Sequence, residues 1–152
     1  GTGALTRIDI RGRGGRKLAD DWGRDIRTTM GLQVHGYPNL FTVGAPLAPS
    51  AALCNMTTCL QQQAGWIADA IAHLESKGLH TMEPSAEKED EWVRHHDEIA
   101  NATLLTKTDS WYMGSNIPGK PRRLLSYAGG VNVYKQACDE AKASGYPGFN
   151  LA

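Results

Sequence analysis

Short apolar runs separated by glycine and proline dominate the first third of the chain. Residues 5–11 alternate apolar and polar side chains and predict a strand, and residues 30–34 predict a second one. Residues 16–29 between them are polar and irregular, with Trp22 as the one large anchor. Residues 40–43 form an apolar run with β-branched side chains and predict a short buried strand. The pattern therefore predicts the strands of an α/β domain.

The third predicted strand leads into a turn of small residues and then into a helix. The small residues are Gly44, Ala45, Ala48, Ala51 and Ala52. Because they carry little side-chain bulk, a flat group could approach the backbone. The helix would direct unpaired N–H groups and its positive dipole end towards the turn. This layout suits a phosphate or an electron-rich cofactor edge, and it is also typical of an ordinary tight connection between a strand and a helix.

The longest helix is predicted from apolar residues at intervals of three and four. It runs from about Ser50 or Ala51 to Lys77, and Gly78 suits a left-handed helix cap. Its predicted inward face consists of Leu53, Met56, Leu60, Ala64, Ile67, Ile71 and Leu74. The glutamines at residues 61–63 are predicted to form a polar surface, although one of them could hydrogen-bond the edge of a ligand.

Two further helices complete the predicted set. One begins near Ser85 with acidic residues in its first turns, as the helix dipole favours, and turns Trp92 inward. The other covers residues 131–143 and is followed by Gly145. Its predicted inward residues are Val133, Tyr134, Ala137, Cys138 and Ala141, and a tail is predicted to dock through Tyr146, Phe149 and Leu151.

Residues 106–120 differ in kind from the helices around them. They contain aromatics, two glycines, a proline and an asparagine without helical or strand period, so they predict a long loop. Loops of this length are often functional, but Trp111 and Tyr112 could instead simply anchor the loop to the core. Residues 122–127 predict a short strand after it.

Composition excludes some function classes without selecting one. The 152 residues are 41% hydrophobic and 21% charged, and the formal net charge is zero. A balanced charge predicts neither nucleic-acid binding nor an acidic partner, and no apolar run is long enough to predict a membrane span. The chain starts with glycine, without a signal-peptide pattern, and enters its first predicted strand almost at once. We expect a cytoplasmic protein and a cut through a larger domain.

Cysteine and histidine positions do not predict a metal site or a disulfide framework. Cys54 and Cys59 lie five residues apart on the predicted helix and should point in different directions, so they are interpreted as small core residues. His95 and His96 are adjacent on a helix, where side chains diverge by about 100°. No metal is therefore expected.

Seven stretches, in this order and at these intervals, resemble the C-terminal third of the Baeyer–Villiger monooxygenases. They are residues 8–12, 30–32, 37–41, 49–50 with 53–56, 88–92, 110–121 and 146–149. The resemblance implies an α/β C-terminal fragment of a flavoprotein with two dinucleotide-binding domains, with few short strands and about three dominating helices. The implied divisions are residues 1–50 as the end of the FAD-binding domain, 51–105 as a helical pair, 106–121 as a mobile cofactor and substrate loop, and 122–152 as a strand, helix and tail.

The resemblance also implies site residues and cofactors. Bound FAD and NADPH would be contacted by Gly44, Pro46, Asn55, Met56, Trp111, Asn116 and Lys120. The ketone pocket would be lined by Ser50, Ala51, Ala52 and Leu53, with Met56 and Trp111. The helix start near Asn55 would favour negative charge on the flavin, and Trp111 would close over NADP and substrate and exclude water.

Other features of the family are absent from this sequence. No GxGxxG motif is present, and the implied catalytic arginine would lie outside the chain. Glycine-proline, common in the family after the strand, is here Ala45-Pro46, and the bulge between Pro49 and Leu53 is one residue longer than in the phenylacetone monooxygenase-like pattern. The chain alone is expected to be inactive. The whole enzyme would use O2 to convert a ketone to an ester or lactone, and its remaining FAD and NADP domains would be its partners. A stand-alone binding module, or part of a related nitrogen- or sulfur-oxidising enzyme, are the alternatives.

Overall fold

The computed structural model describes residues 2–50, 53–104 and 124–152. Within these residues it contains five α-helices, one 3₁₀ turn and a two-stranded sheet. In chain order they are α1 (Thr2–Thr6), the 3₁₀ turn (Arg13–Gly15), α2 (Leu18–Arg24), α3 (Met56–Ser76), β1 (Met82–Pro84), α4 (Ala86–Leu104), α5 (Val131–Ala143) and β2 (Phe149–Leu151). The mixed α/β class with dominating helices is confirmed.

The main core joins α3, α4 and α5 with the loop around residue 30 and the C-terminal tail. Buried polar atoms in this core are paired across elements. The Trp66 indole N–H donates to the Cys138 carbonyl at 2.9 Å, and the Tyr134 hydroxyl donates to the Met30 carbonyl at 2.7 Å. Because burial removes water, such bonds fix how the helices sit against the loop.

The sheet is antiparallel and pairs β1 with β2 in the register Met82↔Leu151 and Pro84↔Phe149. Neither strand was predicted, and β2 lies in the predicted tail, because three residues are too short for an alternating pattern to be recognised. Docking of the tail through Tyr146 and Phe149 is confirmed, since both side chains are buried.

The predicted strands at residues 5–11, 30–34 and 40–43 are wrong. Residues 5 and 6 belong to α1, and residues 7–11 after it make one isolated bridge, Arg11 with Lys17. Residues 30–34 form a turn closed by the Thr29–Gln33 bridge. Residues 40–43 are irregular. A strand needs a neighbour for its ladder, and in the described part of the chain none of these stretches has one. For residues 122–127, the described positions from Leu124 onwards contain only an isolated bridge.

A second, smaller core lies under α2. Residues 16–29 were predicted to be irregular, but they contain this helix. Leu18, Trp22, Ile26, Val34 and Tyr37 form it, so the interpretation of Trp22 as an anchor is confirmed.

Asp21 on α2 is the polar centre of that region. Its carboxylate accepts from the Tyr37 hydroxyl at 2.6 Å, from Arg16 at 2.7 Å and from Arg24 at 2.7 Å. Burial opposes ionisation of Asp21, but the hydrogen bonds from Tyr37 and Arg16 outweigh it and lower the pKa of this carboxyl below its usual value. Burial and the neighbouring Asp21 raise the pKa of the Tyr37 hydroxyl.

Helix α3 begins five or six residues later than predicted and is rotated relative to the predicted face. It starts at Met56 after the cap residue Asn55, and its end before Gly78 is confirmed, with Gly78 at φ 67°. The buried residues are Cys59, Gln63, Trp66, Ala70 and Leu74. Of the predicted face only Leu74 is buried, while Leu53 and Ile71 are 48% and 41% exposed.

Helices α4 and α5 match their predictions closely. Ser85 caps α4 by accepting from the Lys88 N–H at 3.1 Å, and Trp92 is buried. Helix α5 has the predicted bounds, and Gly145 follows it at φ 79°. Tyr134, Cys138 and Ala141 are buried as predicted, whereas Val133 is 47% exposed. Within the described residues, no helix is long and apolar enough to cross a membrane.

Candidate cofactor and substrate site

A turn of small residues begins at Gly44 and packs against the N-terminal half of α3. Gly44 has φ 66°, and its N–H donates to the Oε1 atom of Gln63 at 2.9 Å. A Cβ atom added to Gly44 would lie 3.3 Å from Leu60 Cδ2 and 3.5 Å from Met56 Cε. The backbone therefore lies close to the helix at the point where sequence analysis placed a cofactor contact.

Pro46 and Leu47 continue the turn into the core. The Pro46 carbonyl accepts from the Thr28 hydroxyl at 2.8 Å, and Thr28 is fully buried. Leu47 has φ 71° and is also fully buried; its carbonyl accepts from the Trp92 indole N–H at 3.1 Å. These hydrogen bonds fix the backbone conformation at Pro46, one of the predicted cofactor-binding residues.

Ser50 is anchored to the segment around Ser126. The Ser126 hydroxyl accepts from the Ser50 N–H at 3.1 Å and from the Ser50 hydroxyl at 2.7 Å. Two backbone bonds extend this contact, Leu47 N–H to the Leu125 carbonyl at 2.7 Å and Tyr127 N–H to the Ala48 carbonyl at 3.0 Å. Two chain segments about 75 residues apart thus meet at the base of the predicted pocket.

Asn55 closes the start of α3. Its side-chain oxygen accepts from the Thr58 N–H at 3.2 Å, and its carbonyl accepts from the Cys59 N–H at 3.0 Å. Among the described residues, the N–H groups of Met56 and Thr57 have no acceptor. The positive dipole end of the helix lies beside the turn, an arrangement that stabilises negative charge.

Of the predicted site residues, Gly44 contacts Gln63 and Met56 of α3, and Ser50 contacts Ser126. Leu53 is 48% exposed, and its N–H donates to the Ser50 carbonyl at 2.8 Å. The other predicted site residues, Ala51, Ala52, Trp111, Asn116 and Lys120, lie outside the described residues.

Cys59 is buried, as predicted, but the expectation that Cys54 and Cys59 are not partners is wrong, because the structure joins them in a disulfide. The prediction assumed that both lie on the helix. Since α3 begins at Met56, Cys54 lies before the helix and is free to turn towards Cys59 in the first turn.

The two adjacent histidines contact different partners. His95 Nε2 lies 2.8 Å from the Tyr127 hydroxyl, and His96 Nε2 lies 2.5 Å from the Leu124 carbonyl. Among the described residues no group of three or more His, Cys, Asp or Glu side chains could hold a metal ion.

Sequence reasoning missed two residues that shape this segment, Gln63 and Ser126. Gln63 was assigned with its neighbours to a polar surface, yet it is fully buried. Its place in the stripe with Cys59, Trp66 and Ala70 could have indicated burial, since the spacing is four, three and four. Ser126 carries no comparable signal, because its role depends on a contact with residues far away in the sequence.

Comparison with known proteins shows which enzymes the chain is similar to. No family model matches the chain. It is 69% identical over all 152 residues to an acetone monooxygenase (methyl acetate-forming) of Gordonia sp. strain TY-5, and 35% identical over 144 residues to a Baeyer–Villiger monooxygenase of Pseudooceanicola batsensis. The chain is homologous to the C-terminal part of Baeyer–Villiger monooxygenases. It spans 28% and 26% of the lengths of these two relatives.

Solved structures of monooxygenases have the same fold over this segment. A steroid monooxygenase bound to NADP superposes with a TM-score of 0.89 at 37% identity, covering 99% of this chain and 27% of that one. The monooxygenase OTEMO in complex with FAD and NADP gives a TM-score of 0.90 at 32% identity, with the same coverages. The implied fold of a Baeyer–Villiger monooxygenase C-terminal part is therefore confirmed.

The turn and helix start fit a flavin edge of the kind Baeyer–Villiger monooxygenases bind. Without a side chain, the Gly44 backbone packs closely against Leu60 and Met56, and the positive end of the α3 dipole suits an electron-rich edge. The described residues put no carboxylate in this segment that would repel such a group.

Proposed function

We propose that the polypeptide carrying this segment is a flavin-dependent Baeyer–Villiger monooxygenase. It would insert one atom of O2 next to a ketone carbonyl and form an ester or lactone, with NADPH as the reductant. The observation that carries this proposal is the 69% identity to an acetone monooxygenase over all 152 residues. FAD and NADP in the related structures support the cofactor assignment.

A small acyclic ketone is the proposed substrate, with acetone as the first candidate and methyl acetate as its product. Relatives named for cyclic ketones are less similar: a cyclohexanone monooxygenase and a cyclopentanone monooxygenase are 33% identical, and a cyclohexanone monooxygenase of known structure is 40% identical. The higher identity to the acetone monooxygenase supports the acetone-type substrate.

Residues of the turn and helix start would hold and polarise the cofactor. We assign Gly44 and Pro46 to backbone contacts with the flavin, and Asn55 and Met56 to the helix terminus that stabilises negative charge on it. Bound FAD would supply the oxygen-activating redox chemistry. Trp111, Asn116 and Lys120, in the proposed loop 106–121, would contact NADP.

The remaining proposed residues would bind the ketone. Ser50, Ala51, Ala52 and Leu53 would line the pocket with Met56 and Trp111, and the Ser126 contact would fix the start of this lining. No catalytic residue is assigned within the chain. The divisions proposed are residues 1–50 with the FAD domain, 51–105 as helices, 106–121 as the loop and 122–152 as the tail.

The test uses the full-length enzyme purified with FAD. NADPH oxidation should be stimulated more by acetone than by cyclohexanone, and methyl acetate should appear in proportion. Trp111→Ala should lower the yield of ester per NADPH, because the tryptophan would exclude water, while its neighbour Tyr112→Ala serves as the matched control. An unchanged yield in Trp111→Ala would remove the loop assignment, and absence of any ketone stimulation would remove the proposed reaction.

Oxidation of a heteroatom is the second candidate. A phenazine N-monooxygenase of Lysobacter antibioticus is 34% identical over 149 residues. N-oxide formation from a phenazine, without ester formation from acetone, would establish it instead. We place either enzyme in the cytoplasm, where NADPH is available, and cell fractionation tests this.

A further inference from the structure

Gln63 lies on α3 about two turns after Met56 and is fully buried in the apolar stripe of the helix. Its Oε1 atom accepts the Gly44 N–H at 2.9 Å. Its Nε2 atom, also buried, has no hydrogen-bond partner in the described part of the chain. Within the described residues, the side-chain oxygen of Gln63 is therefore hydrogen-bonded and its side-chain nitrogen is not.

This arrangement is costly for packing alone. A buried N–H₂ group without an acceptor loses its water and gains nothing in return. Methionine, which has a similar length and no polar head, would fill the same space without that loss. What the glutamine provides at this position is therefore the acceptor oxygen for Gly44.

The bond acts on the part of the turn that lies closest to the helix. Gly44 has φ 66°, and its Cβ direction points at Leu60 and Met56, 3.3 and 3.5 Å from their nearest atoms. Gly44 and Met56 are thus the two sides of one narrow contact, and the bond from Gln63 fixes how closely they approach.

We propose that Gln63 is a positioning residue, which sets the distance between the Gly44 turn and the start of α3 and so the shape of the flavin-facing edge. The role in the flavin site rests on the proposed function. The bond to Gly44 does not, and can be measured separately.

The experiment compares the full-length enzyme with three variants. Gln63→Met removes the acceptor and keeps the shape, Gln63→Glu keeps an acceptor oxygen in either protonation state, and Gln61→Met changes an exposed glutamine on the same helix. Four quantities are measured: deuterium uptake of the peptide containing Gly44 in enzyme stripped of FAD, the visible absorption of bound flavin, the ester formed per NADPH, and Tm.

In Gln63→Met we expect at least tenfold faster exchange at Gly44, a shifted flavin absorption band and a several-fold lower ester yield, with Tm within about 2 °C of the parent because an unpaired group is lost together with the bond. Gln63→Glu should restore exchange protection and the absorption band, and Gln61→Met should match the parent throughout.

Unchanged exchange and absorption in Gln63→Met would overturn the proposal. A fall in Tm of more than about 5 °C or a failure to fold, without recovery in Gln63→Glu, would make Gln63 a structural residue and also overturn it. If the parent enzyme forms no ester from any ketone, the proposed reaction fails, while exchange and flavin absorption still decide the role of Gln63.

Discussion

The Trp92 indole N–H donates to the Leu47 carbonyl at 3.1 Å and so ties α4 to the backbone that leads into the proposed pocket. Trp92 also stacks on Tyr127, with ring centroids 5.0 Å apart. Trp92→Phe should keep most of the stacking but leave the buried Leu47 carbonyl without this donor. We expect a loss of about 1–3 kcal/mol in the free energy of unfolding, measured by urea denaturation. Arg94→Ala, an exposed position on the same helix, is the control, and a loss below about 0.5 kcal/mol in Trp92→Phe would contradict the importance of the bond.

The Ser50–Ser126 pair gives a prediction for substrate binding. Ser126→Ala removes the acceptor for the Ser50 N–H and hydroxyl, so the start of the pocket lining should shift. In the full-length enzyme we expect the KM for the ketone to rise several-fold with FAD content unchanged, because the pocket rather than the cofactor contact is disturbed. Ser144→Ala, exposed after α5, should leave KM at the parent value. If the KM of Ser126→Ala equals that of Ser144→Ala, Ser126 does not shape the substrate pocket.

Two glycines near or on α3 should respond to alanine in opposite directions. Gly44→Ala forces a side chain into a left-handed conformation close to Leu60, at an expected cost of about 1–2 kcal/mol. Gly65→Ala adds a methyl group inside the helix where nothing lies within 4 Å, and should stabilise by about 0.5–1 kcal/mol. Thermal unfolding of both variants measures the difference. A stabilising Gly44→Ala would show that the turn is not held as described.

Asp21 predicts a pH dependence of stability. Because its folded pKa is lowered, its stabilisation is present above the unfolded value of about 4 and is lost as pH falls through the folded pKa. Asp21→Asn should therefore lower Tm at pH 7, and the gap to the parent should narrow below about pH 4. Asp20→Asn, exposed on the same helix, controls for the change of net charge. A gap that stays constant down to pH 3 would mean that the carboxylate is not the stabilising group.

Helix ends marked by local residues were predictable from sequence. Ser85 at the start of α4, and Gly78 and Gly145 after α3 and α5, are read correctly because caps depend on the few residues around them. The fold class and the family resemblance were also confirmed. Local chemistry and an ordered set of short motifs were enough for both.

Strands and the orientation of α3 were not predictable in the same way. An apolar run such as residues 40–43 indicates burial or pairing, but the partner that decides between them lies elsewhere in the chain. Helix α3 has apolar residues on two sides, Trp66 and Ala70 on one and Leu60 and Ile71 on the other. Periodicity shows that both apolar faces of α3 exist, but it does not show which of them packs against the rest of this chain. The Gln63 and Ser126 contacts depend on the same distant packing.

The pairing of β1 with β2 has a consequence during protein synthesis. Thr81 and Ala152, which are joined at one end of this sheet, are 71 residues apart. At roughly 5–20 residues per second, a ribosome needs several seconds to deliver the second strand after the first. During that interval Met82 and Trp66 lack the cover of Phe149 and Tyr146. The nascent chain should therefore depend on chaperones until β2 emerges, and expression at lower temperature should increase the soluble yield.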